Sequence, residues 1–319
     1  MTTLNDAAAV VVETHLGVRK DEVVLIITDE WRRRIAGALF EAARRAGTEP
    51  VLIEIVERKT HGAELPAAVA AAMAEADVVI APTTKSLSHT SARKSATERG
   101  ARVASMPEVT EAMMERCLAA DPGRLSSLGA AYAEALTNAS QARLSSPSGT
   151  ECTFNLLGRT GISDDGDLTK KGAFGNLPAG EAFIAPVETD AEGVIVFDAS
   201  LSPDYLLDSP VRVVVKGGVV MEVSGGAAPL FLQLPKSFGP DAWRVAELGI
   251  GTNDRATITG NILEDEKVLS TAHVAFGNNA SIGGVTSSVA SHHDGIIKHV
   301  TLELDGKTVI REGKLLLDG

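Results

Sequence analysis

Only two cysteines, Cys117 and Cys152, occur in the 319 residues, which excludes a disulfide framework and a four-thiolate zinc site. Aromatic side chains are scarce, at 4%, too few for the stacking platforms that hold single-stranded nucleic acid. Basic residues number 30 against 42 acidic ones, and the resulting net charge of −12 argues against a phosphate-backbone footprint. No apolar run approaches the roughly 20 residues that span a bilayer. The N-terminal stretch MTTLNDAAAVVVETHLG lacks the basic start and apolar centre of a signal peptide. Nucleotide-binding glycines are missing too: TDEWRRR, not a G-x-G-x-x-G or Walker pattern, follows the first apolar run. The expectation is a soluble, cytoplasmic protein that handles a small-molecule substrate, with no nucleic-acid partner, no membrane partner and no dinucleotide.

What is present is an ordinary globular composition, with 44% hydrophobic and 23% charged residues. The first 110 residues alternate strand and helix signals. Val23–Ile27 reads as a buried parallel strand. Ile35, Leu39, Ala42 and Ala46 then recur on one helical face, with Gly47 as a C-cap. A strand Pro50–Val56, an alanine-rich helix over 66–76, a strand Asp77–Ala81, a helix from Thr90 to Arg99 closed by Gly100, and a strand Ala101–Ala104 follow. Such strand–helix alternation predicts an open parallel sheet flanked by helices. Residues 108–143 read as helical.

The texture changes from about residue 147. Glycine becomes frequent and short strands dominate: Cys152–Leu157, Glu181–Ile184, Gly193–Phe197, Val211–Lys216 and Val219–Val223. The C-terminal stretch reads as a hairpin around Asp305-Gly306. The fold class is therefore α/β: an N-terminal α/β domain over 1–145, then a β-rich, mixed α+β domain over 146–319 that carries a metal site.

Three segments of the second domain concentrate ligand-type side chains: NLPAGEAFIAP with Glu181, AELGIGTN with Glu247, and the stretch 264–295 with His273, His292, His293 and Asp294. On an extended strand His292 and Asp294 project to one face and His293 to the other. His273 supplies a third ligand, and two imidazoles with one carboxylate form the facial triad of mononuclear Fe(II) enzymes. With Glu181 and Glu247 included, the set becomes rich in carboxylates and suits two divalent ions sharing a water, as in hydrolases. A closed structural site in a non-catalytic binding module is the third possibility, and open positions argue against it. The run Glu264-Asp265-Glu266-Lys267 reads as a solvated turn rather than as ligands. His15 and His61 read as surface residues, and His299 as a solvated strand residue. His89, in TTKSLSHTSARK after the strand Asp77–Ala81, is a candidate catalytic acid/base at the sheet end where open α/β folds bind ligands. Its competing role is incidental, beside a helix N-cap at Ser88 or Thr90.

The elements GEAFIAP, AELGIG, TAHVAFG and SHHDGII, in that order over the C-terminal half, resemble the M29 metallopeptidase superfamily. That group includes aminopeptidases of the aminopeptidase T type and a shorter branch related to 2,5-dihydroxypyridine 5,6-dioxygenase. The loop TTKSLSHTSARKSATERGARVASMP is similar to the shorter branch. The peptidase resemblance implies metal ligands at Glu181, Glu247, His273, His292 and Asp294. It also implies a tyrosine shortly after TAHVAFG, where this chain has NNAS with Ala280 near that place. The dioxygenase resemblance implies two histidines and an aspartate, for which His273, His292 and Asp294 are available. The implied activity is ring opening of a small hydroxylated heteroaromatic at Fe(2+). Its competitor is amide or N-terminal peptide hydrolysis at Zn(2+) or another divalent cation. The resemblance also implies a homo-oligomer.

Overall fold

A computed structural model describes residues 2–236, 238–289 and 291–318. The chain divides into two compact units, the first of residues 1–121 and 166–179, the second of 122–165 and 180–319. Sequence texture places one boundary near residue 145. The structure instead passes from the first unit at Asp121 and returns to it for one segment before the second unit is completed.

The first unit is built on a five-stranded parallel sheet in the order Val51–Glu54, Val24–Thr28, Val78–Thr83, Arg102–Pro107, Phe174–Asn176. Val24–Thr28 is buried along its whole length, as its unbroken apolar run requires of an inner parallel strand. Helix Arg33–Arg45 buries Ile35, Leu39 and Ala42 while its arginines stay in water. Thr90 caps helix Ser91–Arg99 by accepting a hydrogen bond from the Arg93 amide, and Gly100 ends it at φ +104°. His15, expected at the surface, is only 4% exposed, and its Nδ1 bonds the Gly166 carbonyl of the returning segment. His61 and His299 are exposed.

The stretch 108–143 is not one helix. Helix Glu111–Cys117 stops before Asp121, Pro122 opens a second helix Pro122–Asn138, and Gln141–Ser145 is already a strand. Proline fits a first helical turn but cannot continue a preceding one, which explains the break.

The second unit holds two sheets. An eight-stranded sheet ends in the predicted hairpin, Thr301–Leu304 with Lys307–Arg311, turned by Asp305 and Gly306 at positive φ. The seven-stranded sheet has the order Tyr205–Leu206, Ser200–Leu201, His292–Ile297, Ala272–Gly277, Val245–Gly251, Glu181–Ile184, Ile162–Asp164. Side chains from one face of this second sheet, among them Leu248, Ile250, Val274, Phe276 and Ile184, join the unit's hydrophobic core. The opposite face is left to polar chemistry.

Candidate metal centre

Strand alternation assembles the centre. Glu247, Ala275 and Asp294 stand in register across three neighbouring strands. His273 lies two residues from Ala275 and His292 two from Asp294, so both share that face. Glu181 pairs with Gly251 on the next strand, four residues along from Glu247. The intervening residues, among them Leu248, Ile250, Val274 and Phe276, point into the core. Gly249 is paired with His273, and a Cβ there would lie 1.9 Å from the imidazole Nε2. The G-I-G of this strand is thus what lets an imidazole cross it.

All five sequence-predicted ligands converge. His273 Nε2 lies 3.1 Å from Glu247 Oε1 and 3.2 Å from Glu181 Oε2. His292 Nε2 lies 3.3 Å from Glu247 Oε2 and 3.5 Å from Asp294 Oδ1. His293 turns away, as alternation predicts, its ring 5.8 Å from that of Phe238. The ligand atoms fall into two groups. Ligand atoms of Glu247, His292 and Asp294 fall within 4.8 Å of one another, as do those of Glu181, Glu266 and His273. Glu247 thus groups with His292 and Asp294, and His273 with Glu181 and Glu266. The bulge between Val245 and Glu247 shifts the register so that the Glu247 carboxylate reaches between the two imidazoles.

His89 is exposed and belongs to the first unit, next to the capping Thr90.

Sequence reasoning missed two members. The Glu264–Lys267 run is not a solvated turn. Glu264 and Asp265 are buried acceptors for the amides of Thr257, Thr259 and Gly260. Lys267 is fully buried, with Nζ 2.6 Å from Glu181 Oε1 and 2.5 Å from Glu266 Oε1. The backbone fixes it there: Asn253 N donates to the Lys267 carbonyl at 2.9 Å. Four charged residues in a row carry no local sign of burial.

Charge is strongly organised in this pocket. Burial opposes ionisation of Glu247, but hydrogen bonds from His273 and His292 outweigh it and hold the carboxyl far below its usual range. Burial would lower His273, yet its bond to Glu247 and the charges of Glu181 and Glu247 push it up to about 9. His292 is likewise raised against burial, chiefly by Asp294. Burial pushes Glu266 up to about 8, although Lys267 pulls the other way. Lys267 stays charged because the carboxylates of Glu181 and Glu266 overcome its burial.

The donor set fits a divalent ion on three counts. His292 Nδ1 bonds the Asn278 carbonyl at 2.7 Å, which leaves Nε2 as the outward nitrogen and fixes the ring. Asp294 Oδ1 is buried with no hydrogen-bond partner. The backbone of Asp294 is itself held, its amide donating to Ser202 Oγ at 2.9 Å. A buried carboxylate oxygen without a donor is costly unless a cation satisfies it.

The class of protein follows from the two units together: an α/β enzyme fold with a carboxylate–imidazole face on its second unit. The fold is shared with 2,5-dihydroxypyridine dioxygenase from Pseudomonas putida KT2440, at TM-score 0.83 and 20% identity over 98% of this chain and 96% of that one. It is shared also with AmpT from Thermus thermophilus, at TM-score 0.71 and 16% identity over 98% and 99% of the two chains. No curated protein sequence matches. The sequence profile of the family NicX, 2,5-dihydroxypyridine 5,6-dioxygenase, matches residues 10–317, and the chain belongs to that family of ring-cleaving dioxygenases. The likeness to AmpT is one of fold. Among the described residues no helix is long and apolar enough to cross a membrane.

Proposed function

We propose that this enzyme is a mononuclear non-heme Fe(II) dioxygenase that opens a small hydroxylated ring of the dihydroxypyridine type. Glu247, His292 and Asp294 would hold the ion, with His273 beside them through Glu247. One observation carries this: the buried Asp294 Oδ1 and Glu247 Oε2 lie 3.5 and 3.3 Å from the His292 Nε2 that the Asn278 carbonyl has oriented. An imidazole with two carboxylates is a borderline-to-hard donor set that suits Fe(2+). When bound, the metal supplies the one-electron chemistry that dioxygen needs to react with a closed-shell ring.

The protein's own groups do the rest. His273, 3.1 Å from Glu247, holds that carboxylate in place from the side away from His292. The apolar side of the sheet keeps the face rigid. His89, in the first unit, is proposed as an acid/base group. Its support is its exposed position at the end of strand Val78–Thr83, where parallel sheets bind ligands. A homo-oligomeric assembly goes with this proposal, and sedimentation measures it directly.

The competing function is amide hydrolysis at one or two ions such as Zn(2+), with Glu181 as a further ligand. The second group of ligand atoms, Glu181, Glu266 and His273, favours it. Protein purified without oxygen separates the two. We expect one iron per chain, and oxygen uptake with 2,5-dihydroxypyridine but no release from an aminoacyl chromogenic amide. Amide release without oxygen uptake would reverse the choice. In His292→Ala, metal affinity should drop by roughly tenfold or more; full retention would remove His292 from the ligand set. In His89→Ala, the metal should stay while turnover falls on the order of a hundredfold or more. Unchanged turnover would leave His89 as a neighbour of the helix cap.

A further inference from the structure

The second group of ligand atoms already contains a cation. Glu181, Glu266 and His273 could together hold a metal, since their ligand atoms lie within 4.8 Å of one another. Yet Lys267 Nζ sits at 2.6 Å from Glu181 and 2.5 Å from Glu266. Its side chain is wholly out of solvent. The other oxygen of Glu181, Oε2, is buried without a hydrogen-bond partner and faces His273 Nε2 at 3.2 Å. Four carboxylates, Glu181, Glu247, Glu266 and Asp294, thus line one continuous row with the two imidazoles, and the ammonium occupies one end of it.

We propose that Lys267 is a built-in cation that stands where a second metal ion would bind, and so restricts the centre to a single ion. This rests on the proposed function only for the identity of the first ion. Two-ion centres place their metals about 3.5–4 Å apart and use both to activate water and clamp the reacting group. A lysine gives the same positive charge to Glu181 and Glu266 but has no open coordination position. It cannot bind a substrate oxygen or acidify a water as a metal does. The residue therefore selects one-ion chemistry over two-ion hydrolysis while leaving the fold that supports both unchanged. It also explains why an expensive buried ion pair is kept: removing only the lysine would strand two carboxylates out of water.

Lys267 acts on the reaction through Glu181 and Glu266 and is a positioning residue. Metal stoichiometry tests it, because a purely structural lysine would not change that number. Wild-type protein, Lys267→Ala and Lys267→Met are stripped with chelator, titrated with Co(II) or Zn(II), desalted and assayed for metal per chain. Lys267→Met keeps the apolar stem packed in case Lys267→Ala folds poorly. We expect each folded variant to bind one ion more per chain than wild type. The double variant Lys267→Met/Glu266→Gln should lose the extra ion. An unchanged count in the folded variants, or two ions on wild type at saturation, overturns the proposal. The wild-type arm stands even if neither variant folds. The increment tests Lys267, whereas the absolute wild-type count tests the first site. No metal on wild type would sink the proposed metal centre, and the increment would still decide the role of the lysine.

Discussion

Cys152 shows how far burial can silence a reactive group. It lies on strand Glu151–Asn155 at 1% exposure, and burial pushes its thiol up to about 12. The nucleophile is the thiolate, so native protein should label far more slowly than urea-unfolded protein with a thiol reagent at pH 8. Rapid labelling of Cys152 in the native state would contradict its placement. The sign for stability follows from the direction of the shift. The folded state favours the neutral thiol, so its contribution is complete below the ordinary value of 9.0 and is lost as pH rises towards about 12. At pH 11 the loss should be about 3 kcal/mol. Urea midpoints of wild type and Cys152→Ala, compared between pH 8 and 11, measure it; equal slopes with pH would refute it. At this scale the sequence reveals ligand types well. Glu181, Glu247, His273, His292 and Asp294 are all visible as candidates from alternation and glycine-punctuated strands. Which carboxylate meets which imidazole is not visible, because that depends on a one-residue bulge beside Glu247. Glu266 and Lys267 escape for a different reason: partners distant in the chain, Glu181 and Asn253, are what bury them.

Single elements carry their own tests. Strand Val245–Gly251 needs Gly249, because a methyl group there would meet His273 Nε2 at 1.9 Å and the ring carbons at 2.2 and 2.7 Å. The imidazole is fully buried and cannot swing into solvent. Gly249→Ala should therefore cost about 1–3 kcal/mol in urea unfolding. It should also weaken metal binding, since displacing His273 disturbs Glu247. Normal stability together with normal metal affinity would show that the strands do not approach as closely as described. Helix Ser91–Arg99 offers a control away from the metal. Its Thr90 side chain accepts from the Arg93 amide at 3.2 Å. Thr90→Ala should cost about 1 kcal/mol and leave metal content unchanged. The sequence defines such elements closely where the signals are local, as with Gly100 after the helix or the Asp305-Gly306 turn. The order of the seven-stranded sheet is not local. Glu181–Ile184 pairs with Val245–Gly251 across some sixty residues, and no period in either segment names the other.

In the whole molecule the centre ties together segments that lie far apart along the chain. Its candidate ligands come from strands at 181–184, 245–251, 272–277 and 292–297, all within the second unit. With its carboxylates crowded on one face and a net charge of −12 on the chain, the metal-free second unit carries repulsion that a divalent ion relieves. An ion that binds only the folded form stabilises it by RT ln(1 + [L]/Kd), or about 2.7 kcal/mol at a hundredfold excess over Kd. For a unit of this size that corresponds to roughly 5–10 °C in melting temperature. Among the described residues the first unit contributes no member to the grouped atoms. Chelation should therefore lower the melting of the second unit while sparing the amides of the parallel sheet, and hydrogen exchange reports the two separately. Added Fe(II) or Zn(II) should restore protection first at residues 272–277 and 292–297. Equal loss of protection in both units would mean that the ion stabilises the molecule by some route other than these strands. No change in either would mean that the face formed by Glu247, His292 and Asp294 holds no ion at all.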